Sequence, residues 1–152
     1  MQLDTAGLSV ALQDLASSIE QMFQVRCHVT CDQPVVPVDD PTVLIHLYRI
    51  TQEAISNAIR HGRARNVYVD LVHAGERTLL SIEDDGVGID PVGSRVGLGM
   101  RTMRHRARLI GATLTVEPRE GAGTVVSCTL ERRPPLTTHA GVVSEEASDV
   151  LV

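Results

Sequence analysis

Four side chains on one predicted helix could bind a metal ion and phosphate: Glu53, Asn57, Arg60 and His61. Because successive residues of an α-helix are turned by about 100° around its axis, these four fall within an arc of roughly 100°. Apolar residues fill most of the adjoining arc, so the four would lie at the margin of a buried face. The side-chain oxygen of Asn57 suits Mg²⁺, which takes few protein ligands when phosphate oxygens complete its octahedron. An ordinary solvated helix face is the alternative interpretation.

An acidic segment that contains glycine follows a predicted strand, at Glu83–Ile89 (EDDGVGI). Gly86 and Gly88 would let the backbone approach a ligand closely. A carboxylate beside them, from Asp84 or Asp85, could accept a hydrogen bond from an exocyclic amine. The alternative is an acidic turn that ends the strand.

A third segment, Gly97–Met100 (GLGM), opens the next predicted helix. Free backbone N–H groups at a helix N-terminus bind phosphate without a lysine. The alternative is a flexible hinge followed by a helix.

The composition excludes several ways of handling phosphate. All fourteen basic residues are arginine, which rules out a Walker A loop, a Schiff-base lysine and a kinase β3 lysine. Two tyrosines, one phenylalanine and a formal net charge of −5 disfavour a direct nucleic-acid platform. Phosphate would have to be bound by arginine, backbone amides or a metal ion.

The cysteines and the hydropathy indicate a cytoplasmic domain. Three cysteines without a signal peptide predict reduced thiols. Cys27 and Cys31 flank Val29 on one face of a predicted strand, which favours core packing over zinc binding. No segment reaches the ~20 apolar residues that cross a bilayer, so the anchor of a membrane-attached parent would lie outside this sequence.

Periodicity predicts three helices and five strands that would position these residues. The helices are Leu8–Phe23, a second that starts at Asp39-Asp40-Pro41 and runs to about His61, and about Gly99–Leu109. The strands are Arg26–Thr30, Asn66–Val72, Thr78–Glu83, Thr113–Glu117 and Thr124–Leu130. An aspartate cap, a proline at the first position and a terminal glycine, Gly62, mark the ends of the second helix.

The order of these elements predicts an α+β fold. We expect a two-layer α/β sandwich, with a mixed, mostly antiparallel sheet of about five strands and three helices on one face. Strict β-α-β alternation, as in a doubly wound fold, is missing. Residues 1–133 would form the domain, and residues 134–152, rich in Pro, Thr, Ser and Glu, a disordered tail.

In their order and spacing, the three segments resemble the motifs of the GHKL (Bergerat-fold) ATPases. Residues 47–61 (LYRITQEAISNAIRH) look like the N box of that family. Asp84–Gly88 looks like its first glycine box and Gly97–Met100 like its second, while Gly123-Thr124 matches the Gly-Thr that opens its last strand. Residues 97–111 are similar to sensor histidine kinases of the nitrate-sensor and DesK type. The resemblance covers about residues 3–132.

The resemblance implies how the adenine end of an ATP site would be built. Asp84 would accept a hydrogen bond from the adenine amino group, and Thr124 would assist through water. Gly86 and Gly88 would shape the floor of the pocket. Asp85 occupies the variable position of the motif, so Asp84 is preferred.

The phosphate end follows from the same resemblance. Asn57 would bind Mg²⁺ that bridges the ATP phosphates, and Arg60 would be the basic phosphate contact. Glu53 would be the catalytic residue that orients water or the metal, and His61 would belong to the nucleotide-binding set. Gly97 and Gly99 would cradle phosphate on the backbone amides at the start of the third helix, and Leu98 and Met100 would belong to the nucleotide-binding set.

Arginines recur along the third predicted helix at Arg101, Arg104 and Arg108. Either of the first two could reach phosphate. The exposed face they form is either solvated or a docking surface for an acceptor domain.

The resemblance implies the ATP-binding catalytic domain of a two-component sensor histidine kinase. It would transfer the γ-phosphoryl of Mg-ATP to a histidine on a separate dimerisation and phosphoacceptor domain. A response regulator, DNA-binding by family analogy, would receive the phosphate on an aspartate. None of the six histidines is followed by Asp or Glu, as the family's acceptor usually is, so an excised or truncated catalytic domain is expected. The alternatives are a free-standing GHKL anti-sigma-factor serine kinase and a non-catalytic binding module.

Overall fold

The computed structural model describes residues 5–31, 40–88 and 97–131. Its helices are α1 (Thr5–Phe23), α2 (Pro41–Arg60) and α3 (Leu98–Leu109). Its strands are β1 (Arg26–Cys31), β2 (Asn66–Ala74), β3 (Arg77–Asp84), β4 (Thr113–Pro118) and β5 (Thr124–Glu131). The predicted elements are confirmed to within a few residues at their ends. The predicted tail at 134–152 lies outside the described residues, as does Ile89.

The five strands form one mixed sheet in the order β1-β2-β3-β5-β4. Only the β1–β2 pair is parallel, and the other three pairs are antiparallel. The helices pack on one face: α1 contacts β1, α2 contacts the middle strands, and α3 contacts β4. The α+β, two-layer prediction is therefore confirmed. Within the described residues, no helix is long and apolar enough to cross a membrane.

Helix α2 supplies most of the helical side of the core. Asp40 caps its N-terminus, where Oδ1 accepts a hydrogen bond from the backbone N–H of Thr42 at 2.9 Å, and Pro41 follows at the first position. Its buried side chains recur at helical spacing: Leu44, Leu47, Ile50, Thr51, Ala54, Ile55 and Ala58. The polar residues bordering this stripe are consequently held at the edge of the core.

The outer edge of β1 is covered by side chains from α1. Glu20 Oε1 accepts a hydrogen bond from the backbone N–H of Cys27 at 3.0 Å, and Gln13 Nε2 donates to the carbonyl of Val29 at 3.3 Å. Cys27 is buried in the core, and Val29 and Cys31 pack against it, which confirms the predicted core position of this strand face. Burial, with the charge of Glu20, raises the pKa of the Cys27 thiol to about 11.

Candidate functional site

A cleft of about 940 Å³ opens between α2, α3 and the adjoining ends of β3, β4 and β5. Most of the predicted site residues line it: Glu53, Asn57, Arg60, His61, Asp84, Gly88, Gly97, Leu98, Gly99, Met100 and Thr124. They come from segments far apart in the chain. The fold therefore brings the three sequence motifs to one concave surface.

Asp84 is the last residue of β3 and is buried, with 7% of its surface exposed. Its Oδ1 accepts a hydrogen bond from the backbone N–H of Gly86 at 2.9 Å. Burial raises the pKa of this carboxyl, and the charge of Asp85 adds to the rise. Backbone hydrogen bonds from Gly86 and Thr124 and the charge of Arg119 oppose it. The result is a fixed carboxyl at the cleft wall.

The neighbouring Asp85 makes structural contacts instead. Its Oδ1 accepts hydrogen bonds from the backbone N–H groups of Arg65 at 2.8 Å and Asn66 at 2.9 Å. Its Oδ2 accepts from the Asn66 side-chain amide at 2.8 Å. Burial acts to raise the pKa of Asp85, but these hydrogen bonds outweigh it and the pKa is lowered. Of the two adjacent carboxylates, only Asp84 lines the cleft.

Gly86 is not part of the cleft lining and lies where two backbone segments meet. The backbone N–H of Val87 donates to the carbonyl oxygen of Gly62 at 2.8 Å. A Cβ on Gly86 would lie 2.8 Å from the carbonyl carbon of Gly62 and would force the two segments apart. Glycine is therefore required here for the close packing of the loop after β3 on the end of α2.

Thr124 opens β5 directly beside Asp84. The two residues are paired across the β3–β5 ladder, and Thr124 is buried with 8% of its surface exposed. The Gly123-Thr124 motif thus supplies a hydroxyl group next to the buried carboxyl. This end of the cleft offers both an acceptor and a hydroxyl to a heterocyclic ligand.

The opposite end of the cleft is formed where α2 faces the start of α3. A Cβ on Gly99 would collide with Oε1 of Glu53 and would lie 3.3 Å from Oδ1 of Asn57. Both α2 side chains therefore reach the first turn of α3. Gly97 is the N-cap of this helix and gives it no side-chain hydrogen bond. The first backbone N–H groups of α3 are consequently available to an anion.

The cationic side chains divide between the cleft and the outer surface. Arg60 and His61 lie at the C-terminal end of α2, where both are exposed and line the cleft. Arg104 also lines the cleft, whereas Arg101 does not. The structure therefore favours Arg104 as the α3 arginine that could reach a bound phosphate. Arg101 and Arg108 are exposed on the same helix.

Sequence reasoning missed several lining residues, which form mostly apolar walls: Ala54, Ala58, Gly62, Thr102, Met103, Val116, Pro118 and Val126. Ala54 lies three residues before Asn57 and four before Ala58, and this helical spacing was a usable signal. Val116 and Pro118 belong to β4, which reaches the cleft only because β4 pairs with β5. No local pattern marks those two residues as lining.

The donor set at the α3 end fits a cation that is shared with a ligand. Asn57 offers one neutral oxygen and Glu53 one carboxylate beside it. Among the described residues, no group of three or more His, Cys, Asp or Glu side chains could hold a metal ion. A divalent ion bound here would need oxygens from the ligand, as Mg²⁺ on nucleotide phosphates has.

The fold and the cleft together define a nucleotide-binding domain of the two-layer sandwich class. Residues 42–134 match the family of histidine kinase-, DNA gyrase B- and HSP90-like ATPases. The chain belongs to this family. The predicted resemblance to the GHKL ATPases is thereby confirmed.

Named relatives place the domain among sensor proteins. It is 32% identical over 130 residues to the nitrate/nitrite sensor protein NarQ of Escherichia coli, a match covering 84% of this chain and 23% of the relative. It is 34% identical over 126 residues to the sensor protein VraS of Staphylococcus saprophyticus, covering 80% and 35%. The chain therefore spans about a quarter to a third of these relatives. They favour the sensor-kinase prediction over the anti-sigma-factor kinase.

A solved structure shares the fold as well. The histidine kinase domain from the blue-light activated histidine kinase of Erythrobacter litoralis EL346 is 26% identical, with a TM-score of 0.68. The match covers 82% of this chain and 61% of that one. The chain is thus an ATP-binding catalytic domain of the histidine kinase type.

Proposed function

We propose that this domain binds Mg-ATP in the cleft and transfers the γ-phosphoryl group to a histidine on a separate dimerisation and phosphoacceptor domain. The observation that supports this most is that the two ends of the cleft carry different chemical groups. A buried carboxyl and a hydroxyl lie at one end, and an amide oxygen, a carboxylate and a helix N-terminus lie at the other.

The adenine end would be formed by Asp84 and Thr124. The carboxylate of Asp84 accepts the N–H of the adenine amino group, while Thr124 contributes through a bridging water. Val116, Val126 and Met103 provide an apolar wall for the ring. Adenine is therefore recognised without an aromatic side chain.

The phosphate end would rely on charge neutralisation and positioning. Asn57 binds Mg²⁺, which neutralises charge on the phosphate oxygens when it is bound. The N–H groups at Gly97–Met100 bind the phosphates, and Arg60 and Arg104 approach the same charge. Such groups suffice for phosphoryl transfer because the protein mainly positions reactants and stabilises charge.

The transfer itself exchanges one bond for another. A ring nitrogen of the acceptor histidine attacks the γ-phosphorus, a P–N bond forms, and the bond to the bridging oxygen breaks. ADP leaves with that electron pair. Glu53 lies at the phosphate end of the cleft and orients water or the metal there.

The partners follow from the same proposal. The phosphohistidine passes its phosphoryl group to an aspartate on a response regulator, which we propose is DNA-binding. We assign no nucleic-acid contact to this domain itself. It would work in the cytoplasm, where ATP is available, and any membrane anchor would belong to another part of the parent protein.

The test is phosphoryl transfer in trans. The chain is incubated with γ-labelled ATP and a phosphoacceptor domain taken from a nitrate-sensor relative. We expect acid-labile, alkali-stable label on the acceptor, and little label on the chain alone. The control is an acceptor domain whose histidine is replaced by glutamine. Label on a serine of an anti-sigma-factor antagonist, with none on the histidine, would contradict the proposal.

A further inference from the structure

Arg119 connects the β4–β5 turn to the sheet face opposite the cleft. Its guanidinium carbon lies 5.8 Å from the ring centroid of Tyr68, and its Nε lies 3.8 Å from Oε2 of Glu83. Its Nη1 donates to the carbonyl of Ala122 at 3.4 Å, and its backbone N–H donates to the carbonyl of Gly123 at 3.0 Å. One side chain thus contacts two central strands and its own turn.

The aromatic partner of Arg119 is itself held in place. Tyr68 stacks on His28 of the edge strand, with ring centroids 5.0 Å apart and planes inclined by 12°. Tyr68 is also paired with Glu83 across the β2–β3 ladder. His28, Tyr68 and Arg119 therefore form a layered contact across the open face, from β1 to the β4–β5 turn. We call these three residues the open-face stack.

The turn held by this stack adjoins the proposed adenine end of the cleft, between the lining residues Pro118 and Thr124. Gly123 has a φ of +110°, and a Cβ there would lie 2.7 Å from the carbonyl carbon of Asp84. The carbonyl oxygen of Gly123 also packs on Gly88, where a Cβ would lie 2.9 Å from it. Any displacement of the turn would therefore move the backbone beside Asp84 and the adjoining Thr124.

We propose that Arg119 is a positioning residue for nucleotide recognition, which acts by fixing the β4–β5 turn against Asp84 and Gly88 from the far side of the sheet. The inference rests on the proposed binding of ATP in the cleft. Arg119 does not line the cleft, so it acts through the turn rather than by contact with nucleotide. Its partners Tyr68 and Glu83 are outside the lining as well.

The position of the turn predicts how the affinities for ATP and ADP should change when Arg119 is replaced. The turn adjoins the adenine end, which ATP and ADP share, and not the α3 end, where the γ-phosphate would lie. Arg119→Ala should therefore weaken the binding of ATP and of ADP by the same factor, up to roughly fivefold, because one lost cation–π contact lowers the population of the ordered turn by no more than that. In the transfer assay, KM for ATP should rise while kcat at saturating ATP is unchanged.

The matched control is Arg77→Ala. Arg77 lies on the same sheet and forms an exposed ion pair with Glu131 at 2.8 Å, but it is absent from the cleft lining. It should leave both nucleotide affinities unchanged. Arg119→Lys keeps the cation and should recover part of the affinity. Tyr68→Leu removes the ring and should reproduce the weakening, which provides a second measurement if Arg119→Ala does not fold.

The measurements are dissociation constants for ATP and ADP, with thermal unfolding recorded for each variant. Unchanged affinity in Arg119→Ala, or in Tyr68→Leu where the first variant is unfolded, overturns the inference. So does a loss for ATP that exceeds the loss for ADP. If the unaltered chain itself binds neither nucleotide, the proposed function fails. If the unaltered chain binds both nucleotides and the variants bind them with the same affinity, only the positioning role of Arg119 fails.

Discussion

Two adjacent aspartates show how burial and hydrogen bonding assign different roles to identical side chains. Asp84 is buried at the cleft with a raised pKa, and Asp85 is held by three N–H donors with a lowered pKa. Ionised Asp84 therefore lowers the stability of the native state, whereas ionised Asp85 raises it. This is the pattern expected of a binding group beside a structural one.

For Asp84 we predict that nucleotide binding and stability respond to pH in opposite directions. Because burial raises the native-state pKa of Asp84, its contribution to stability grows as pH falls through that raised value. Nucleotide affinity should decline over the same range, because a protonated carboxyl is a poorer acceptor for the adenine amine. Titrations of unfolding and of fluorescent-nucleotide binding between acid and neutral pH would check both signs.

Asp84→Asn should remove both dependences. It should weaken adenine-nucleotide binding by about 10- to 100-fold, the value of one hydrogen bond to a charged group, without lowering the free energy of unfolding at neutral pH. Unchanged affinity in Asp84→Asn would defeat the adenine assignment.

The matched control is Asp85→Ala, which should lower the free energy of unfolding by roughly 2 kcal/mol because N–H donors are left unpaired. The stability that Asp85 supplies is present above its ordinary pKa and disappears as pH falls through the lowered value.

Among the elements, α1 has a function that its apolar periodicity does not reveal. Besides packing on the core, it covers the free edge of β1 through Glu20 and Gln13. Exposed strand edges can pair with other chains. The α1 side chains therefore occupy backbone groups of β1 that would otherwise be open to such pairing.

We predict that Glu20→Ala lowers the free energy of unfolding by about 1 kcal/mol, because the backbone N–H of Cys27 loses its acceptor. Denaturant titration would measure this, and light scattering would report any added self-association. Glu20→Gln retains a side-chain oxygen and should behave nearly as the unaltered chain. Equal stability of all three proteins would show that the edge contact contributes nothing.

At the scale of the whole molecule, the cleft joins the two layers of the sandwich. Its lining comes from α2 and α3 on one side and from β3, β4 and β5 on the other. A ligand that binds there contacts both layers and favours the native state by mass action. Nucleotide binding is therefore expected to stabilise the entire domain.

Mg-ATP at 100 times its dissociation constant should stabilise the fold by about 2.7 kcal/mol, which raises the thermal midpoint by several degrees. With EDTA in place of Mg²⁺, the shift should be smaller, because the phosphate charge is not neutralised. In Asn57→Ala the difference between the Mg²⁺ and EDTA conditions should vanish. If that difference persists, the metal is bound elsewhere.

The sequence by itself determined the elements and the motifs, because both depend on neighbouring residues. The aspartate cap at Asp40, the proline after it and the apolar spacing of α2 act within a few residues, so the helix could be placed without a fold. The spacing from Asn57 to Asp84 and then to Gly99 was enough to identify the resemblance to the GHKL ATPases. The order of helices and strands was enough for the two-layer class.

Only the tertiary structure decided which of these residues meet. It showed which hydrogen bonds occupy Asp85 and leave Asp84, already preferred from the motif, at the cleft. It also favoured Arg104 over Arg101, left Gly86 out of the cleft lining and brought Val116 and Pro118 into it. It also placed Arg119 against Tyr68 on the opposite face. Each outcome depends on strand register, burial or contact between distant segments. Those quantities arise when the chain packs, and no local pattern of residue types contains them.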